Sequence, residues 1–439
     1  MTSKINMPMP TWPPLLLLFP TLLANYLLLG INSSSIQQVL AFEVPFPPIA
    51  AEIRASAVLS LPQPLVPVTK RVRLCSGTTA EIITCLPDPS PPSSTSSLQW
   101  DTIFSKLFDP FAGYDKKLKQ QPPGFDSNSY DKPILAFVHG SFHAAWCWSE
   151  HYMPYFASLG YATVALSLQG TGGTPPTESG VTKVKIKNHV DDLNAFLTGL
   201  SEDDDEADDD RNIHWNLGLH MGEKQRIVLI GHSFGGLAIM KWLEKYYDDD
   251  DEPSNNDRRS EDEALERKNN RINLAGISLL CSVPPSGNGK MTRRYLFRSP
   301  IDSWKIIAGF VMKKAITDKS ICRTLFFDES ISEEDIEQYQ QYFQRDTIAT
   351  IDLIDLGKQL PSARADRRTG KAPFVDKLPS SSLIVAAADD FIVDLEGSNE
   401  CARYFGLESP MIVDSPHDIM LGKKWKNGAD AILQWLHRL

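Results

Sequence analysis

The chain has no C-x-x-C pair among its six cysteines, and its nine histidines show no metal-ligand spacing. Those gaps remove a zinc-ribbon or thiol-redox reading, and no metal or other cofactor is expected. Basic stripes are missing too, and the acidic runs would repel phosphate, so nucleic acid is excluded as a partner. A long unbroken apolar run is also absent. The one near the N-terminus opens on Pro13-Pro14 and is interrupted by Pro20, which opposes a stable spanning helix. The loop Gln169–Pro175 has three glycines but no lysine behind them and no helix start, so it reads as a tight loop and not a phosphate cradle. Cys147, Cys281 and Cys322 sit in apolar runs and read as buried thiols.

What is present is charge of one sign, unevenly spread. Eight acids fall in the nine residues Glu202–Asp210 and five more in Asp248–Glu252; without them the formal charge of −11 becomes about +2. Solvated insertions near 201–223 and 247–270 are expected, because like charges without apolar partners build no core. Residues 1–41 read as a targeting segment, with Lys4 followed by an apolar run of signal-peptide length. Its end, Leu40-Ala41-Phe42, resembles the bipartite plastid presequences of algae with secondary plastids. Entry into the secretory pathway, with a plastid as one destination, is the expectation. Residues 42–132 read as an extension carrying one hairpin from Val68 to Leu86, turning at Ser76-Gly77.

From residue 133 the pattern alternates buried strands with amphipathic helices: Ile134–Val138, a helix to about Leu159 capped by Gly160, Tyr161–Leu168, and Val184–Leu200. In the last of these, Val190, Leu193, Phe196 and Leu197 face inward, and His189 and Asp192 face outward. That rhythm predicts an α/β fold with a doubly wound, mostly parallel sheet. It breaks at Pro284-Pro285, turns helical over 288–380, and resumes over 381–439. The expected order is a first core half at 133–287, an inserted helical lid at 288–380 and a second core half.

The strand Arg226–Ile230 runs into Gly231-His232-Ser233-Phe234-Gly235 and then a helix. A strand that becomes a helix within so few residues forces Ser233 into a strained backbone, and flanking glycines remove the Cβ atoms that would block the turn. A serine hydroxyl is a poor nucleophile at neutral pH and needs a base and an orienting acid. Both are on offer after later strands: Asp390 after Leu383–Ala388, and His417 after Met411–Val413. Asp389 and Asp394 lie near enough to compete, and His139, His143, His232 and His437 are weaker candidates for the base. An oxyanion would be held by backbone N–H groups of Phe234 and Ser141, with His139 keeping the latter's loop in shape.

These residues carry a resemblance. His139-Gly140-Ser141-Phe142-His143-Ala144-Ala145-Trp146-Cys147-Trp148 is similar to the opening motif of plant methylesterases and hydroxynitrile lyases, within the α/β-hydrolase superfamily. Gly231–Gly236 resembles its nucleophile turn, and Pro416-His417-Asp418 its base loop. The register of its acid turn, with Ile-Val following one residue later, selects Asp390. The lyases carry Lys directly after the base; Asp418 stands there, which argues against cyanohydrin cleavage. The resemblance also implies a nucleophilic serine, unlike the carboxylate of epoxide hydrolases and dehalogenases.

The expected function is hydrolysis of a carboxylic ester with an apolar acyl or alcohol part, on a small-molecule or lipid-like substrate. A lipase-like or chlorophyll-ester hydrolase is one alternative, and a non-catalytic ligand-binding protein of the same fold is another. Trp304 and Phe310, on the apolar stretch Ile301–Met312, are expected to line the acyl pocket. Peripheral membrane contact is compatible with this composition.

Overall fold

Alternating apolar and cationic residues make Val68–Arg73 (β1) and Thr79–Cys85 (β2) an antiparallel hairpin, with Gly77 at φ +92° in the turn. The computed structural model describes residues 65–87, 132–201, 225–247, 272–378 and 382–439. Residues 1–41, expected to be a targeting segment, most of the extension and nearly all of both acidic insertions lie outside those residues. The hairpin itself corrects the reading that the core begins at residue 133. β2 pairs antiparallel with Thr163–Leu166 (β4), so the hairpin is one edge of the main sheet. A strand's own alternation shows that it has a buried face but not which strand it pairs with.

Next come Ile134–Val138 (β3), the short helices Trp146–Ser149 (α1) and Tyr152–Ser158 (α2), and β4. A single helix to about Leu159 is expected there; two form. Pro154 has no N–H for a helical bond back to residue 150, so the helix restarts with the proline in its first turn. Lys183–Val184 (β5) leads into Ile186–Gly199 (α3), then Ile227–His232 (β6), Phe234–Tyr246 (α4) and Leu274–Leu280 (β7). The insertion contains Asn288–Arg298 (α5), Pro300–Phe310 (α6), Lys319–Phe326 (α7), Glu333–Arg345 (α8), Thr350–Ile351 (β8) and Leu353–Lys358 (α9). The chain closes with Ser382–Ala387 (β9), Leu395–Tyr404 (α10), Met411–Val413 (β10) and Trp425–Leu436 (α11).

The main sheet has eight strands in the order β1-β2-β4-β3-β6-β7-β9-β10, parallel from β4 onward. Strand β3 shows why its run is apolar throughout. Leu135 and Phe137 join the core on one face, and Ile134, Ala136 and Val138 join the core on the other. Among the described residues, no helix is long and apolar enough to cross a membrane.

Helix α3 overturns one expectation. His189 and Asp192 are buried. Asp192 accepts hydrogen bonds from Ser76 (2.6 Å), Thr78 (2.8 Å) and the Gln169 amide (2.6 Å), which tie the helix to the β1–β2 turn and the glycine loop. Polarity put it on the outer face in the sequence reading, but a carboxylate with three donors waiting can be buried.

Candidate active site

Functional candidates collect where the parallel strands end, the edge at which open α/β sheets hold ligands. After β6 the chain turns at Ser233, which has φ 51° and ψ −119° and stands at the N-terminus of α4. Such a conformation costs a non-glycine residue about 1–3 kcal/mol. The neighbours hold it there: its N–H donates to Leu280 O (3.0 Å), and its carbonyl accepts from Gly236 and Val283 (both 3.1 Å). Two glycines let the adjacent loop come close. A Cβ on Gly140 would lie 2.8 Å from the Ser233 Cβ, and one on Gly235 would lie 2.4 Å from Val138 O.

His417 follows β10, and its Nδ1 lies 2.9 Å from each oxygen of Asp390, which follows β9. A carboxylate only accepts, so Nδ1 carries a proton, and Nε2 is the nitrogen left unengaged by the acid. Asp390 is in turn fixed by the N–H groups of Ile392 and Val393, both at 2.8 Å. Asp389 points elsewhere: it is mostly exposed and lies 3.5 Å from Lys424. Asp394 caps α10 and pairs with Arg294.

The loop after β3 is set by His139. Its Nε2 accepts from Leu168 N–H (2.9 Å), so the proton sits on Nδ1, which donates to Gly140 O (2.8 Å). In a trans peptide the C=O and the next N–H point opposite ways. Fastening Gly140 O on one side therefore turns Ser141 N–H to the other. Burial keeps this imidazole neutral, with its pKa pushed down to about 4.

Two further groups escaped the sequence reading, or entered it only as weak candidates. His143 Nδ1 faces Ser141 O (2.8 Å) and its Nε2 faces Asp418 Oδ2 (2.9 Å), both side chains being fully buried. With acceptors facing both nitrogens, the surroundings favour the imidazolium. Burial alone would discharge it, but the charge and hydrogen bond of Asp418 and the Ser141 carbonyl outweigh that and raise its pKa. The pair joins the loop after β3 to the loop carrying His417. His232 adds a second strut, donating from Nε2 to His417 O (3.0 Å), while its own pKa is lowered well below the usual value by burial and neighbouring histidines. The only hint in the sequence was Asp418 following the base histidine directly. Cys281, at φ 46°, places its Sγ within 4.8 Å of the Asp390 carboxylate and the His417 ring, and burial pushes its pKa well up. Donor atoms around His417 thus lie close enough for a cation. Most are already committed to one another, Nδ1 to Asp390 and His232 Nε2 to a carbonyl.

The insertion lies against this edge. Phe326 O accepts from Asp418 N–H (3.0 Å), and the Phe326 ring is 6.3 Å from His417. Phe142 stacks edge-on against Phe310 (5.1 Å) and Phe343 (6.0 Å). Ser233 is buried, although a strand-to-helix elbow such as Gly231–Gly235 would by itself leave the hydroxyl exposed. Phe310 belongs to this aromatic cluster, but Trp304 does not. Ala308 and Gly309 form the buried face of α6, and a Cβ on Gly309 would meet Leu325 at 2.1 Å. The close approach uses the small side of the helix and leaves Trp304 half exposed to solvent, which corrects its expected place in the pocket wall.

Methylesterase 2 of Arabidopsis thaliana is 28% identical over 118 residues, 27% of this chain and 36% of the relative. Methylesterase 1 of the same plant is 28% identical over 116 residues, 26% of this chain and 35% of the relative. The chain therefore spans about a third of the length of these curated relatives. Among solved structures, 2-hydroxy-6-oxo-6-phenylhexa-2,4-dienoate hydrolase from Rhodococcus sp. strain RHA1 aligns over 85% of this chain and all of its own, with a TM-score of 0.49 and 13% identity. The model of the alpha/beta hydrolase family matches residues 135–421, from inside β3 to just past His417. A match of that extent, enclosing the elbow and the loops that bear Asp390 and His417, means that the chain belongs to the alpha/beta hydrolase family.

Proposed function

We propose that this chain is a serine hydrolase that cleaves a carboxylic ester with an apolar acyl part. Ser233 Oγ attacks the ester carbonyl carbon while His417 Nε2 takes the hydroxyl proton. The backbone N–H groups of Phe234 and Ser141 receive the oxyanion. Collapse of the tetrahedral species breaks the ester C–O bond, and His417 returns the proton to the departing alcohol. Water, deprotonated by the same nitrogen, then releases the acid and restores Ser233. Asp390 keeps the proton of His417 on Nδ1 and stabilises the imidazolium formed in each half-reaction.

The observation that carries this reading is the contact of both Asp390 oxygens with His417 Nδ1, at the sheet edge where Ser233 holds its strained turn. The helical insertion serves as a lid, and Phe142, Phe310 and Phe343 supply the apolar wall on its underside. The relatives named methylesterases support a small alcohol part. The test is a series of chromogenic esters with acyl chains of two to eight carbons. Rising kcat/KM with chain length, and loss of that rise in Phe310→Ala while acetate ester is still cleaved, is the expected result. Equal rates along the series would refute the apolar pocket, and no cleavage of any member would refute the hydrolase.

A further inference from the structure

Six of the thirteen large apolar side chains exposed among the described residues fall within residues 296–312, on and around the elbow between α5 and α6. Phe297 is 81% exposed, Ile301 72% and Trp304 50%. A monomeric surface seldom keeps such groups side by side in water without a use for them. The helices are not loose. Arg294 grips both oxygens of Asp394 on the core helix α10, Nε at 2.6 Å, and Arg298 pairs with Glu396 one turn away. The inner side of α5 is thus fastened to the core while the apolar tip is held outward.

Charge says what covers it. Residues 288–314 hold seven lysines or arginines and one acid, Asp302. Lys290, Arg294 and Arg298 face Glu400, Asp394 and Glu396, which leaves Arg293, Lys305, Lys313 and Lys314 without an acidic partner among the described residues. Arg293 on α5 and Lys314, just past the end of α6 and near the exposed Val311 and Met312 in the chain, are exposed. Aromatic and branched apolar groups rimmed by cations match a bilayer interface with anionic headgroups, where apolar side chains enter the acyl boundary and the cations meet the surface charge.

We propose that the α5–α6 elbow is a peripheral docking surface for anionic lipid bilayers, inserting Phe297, Ile301 and Trp304. The site requires no turnover, so it is tested apart from the hydrolase reading. Full-length protein is sedimented with vesicles of phosphatidylcholine alone or with 30 mol% phosphatidylglycerol, at low and high salt. Stronger binding to the anionic vesicles, weakened by salt, is expected. Phe297→Asp combined with Ile301→Asp should weaken it at least about tenfold, and Arg293→Ser with Lys314→Ser should remove the preference for anionic lipid. Melting curves check that each variant folds. Independently of folding, the fluorescence difference between wild type and Trp304→Phe should shift to shorter wavelength when anionic vesicles are added. Equal binding by wild type and the Phe297/Ile301 variant, or an unshifted Trp304 difference spectrum, would overturn the proposal. So would a wild-type dimer that this variant converts to monomer without any change in vesicle binding, since the patch would then be covered by a second copy.

Discussion

At the strand ends, charged and polar side chains lie buried: His143 and Asp418 are fully enclosed, and Asp390 and His417 nearly so. In the helical insertion the situation is reversed, with Phe297, Ile301 and Trp304 standing in water. Each region breaks the ordinary partition of side chains, and each does so with its backbone pinned. Buried charge is tolerable at the first because the acids face histidines, Asp418 Oδ2 with His143 and Asp390 with His417. This holds even though Asp418 Oδ1, His232 Nδ1 and Ser415 Oγ find no hydrogen-bond partner among the described residues. Exposed apolar surface is tolerable at the second because the buried face of α6 is carried by small residues such as Ser303, Ala308 and Gly309. The difference teaches where substitutions should hurt. At the strand ends a single atom matters to activity or stability; on the outer face of the insertion it should matter to neither.

The largest expected effect is on turnover. Ser233→Ala should lower kcat on a short chromogenic ester by about four orders of magnitude or more, with the melting temperature little changed. Asp390→Asn should approach that loss, because the amide favours the wrong tautomer of His417, whereas Asp389→Asn should be nearly silent. Equal losses for the two aspartates would erase the distinction between the paired and the exposed carboxyl.

Next in size is the buried ion pair. Asp418→Asn leaves the His143 imidazolium without its counter-charge and should cost about 3–5 kcal/mol of stability, read by denaturant unfolding. The double variant His143→Gln with Asp418→Asn should recover part of it. A loss below about 1 kcal/mol would mean that the pair is not an ion pair.

A smaller effect concerns acid. Burial pushes the pKa of His189 down to about 3 and that of His139 to about 4. The unfolded chain binds these protons near pH 6.5, the folded chain only in stronger acid. Their contribution is therefore complete above about pH 6.5 and is lost progressively as pH falls, through about 4 for His139 and about 3 for His189. His143 acts in the opposite sense: its raised pKa adds stability below about pH 6.5, lost as pH rises through the folded value. Because neither ring nitrogen of His189 has a partner among the described residues, His189→Leu should raise stability by about 1–3 kcal/mol and flatten the fall in melting temperature between pH 7 and 5. An unchanged acid slope would show that His189 does not titrate with unfolding.

The smallest effect is expected on the insertion. Trp304→Ala should change stability by no more than about 0.5 kcal/mol and leave acetate-ester cleavage intact. A drop comparable to a core substitution would show that the outer face is packed.

How much of this was legible in the sequence follows from what fixes each feature. The parallel strands and the elbow were readable because a strand buried on both faces must be apolar at every position, and a strand-to-helix turn needs glycine at fixed places. Gly140, Gly235 and Ser233 are local facts. The place of the β1–β2 hairpin was not readable, because its partner strand lies 78 residues beyond Cys85 in the chain, joined there by Thr163 Oγ to Cys85 O. Asp192 was misplaced for a related reason: helical periodicity assigns polar residues outward unless a distant partner is known. His189 is buried although neither ring nitrogen has a partner among the described residues. The His143–Asp418 bridge, spanning 275 residues, could not be derived from spacing at all. On α6 the periodicity showed an apolar stripe but not which side of the helix packs; Gly309 against Leu325 decided that.

The account rests most heavily on one activated serine at the end of β6, and the most direct measurement is covalent labelling by a fluorophosphonate followed by intact-mass and peptide analysis. One adduct per chain is predicted, on Ser233, absent from Ser233→Ala and formed far more slowly in His417→Gln. No adduct, an adduct on another residue, or equal labelling rates with and without His417 would contradict it.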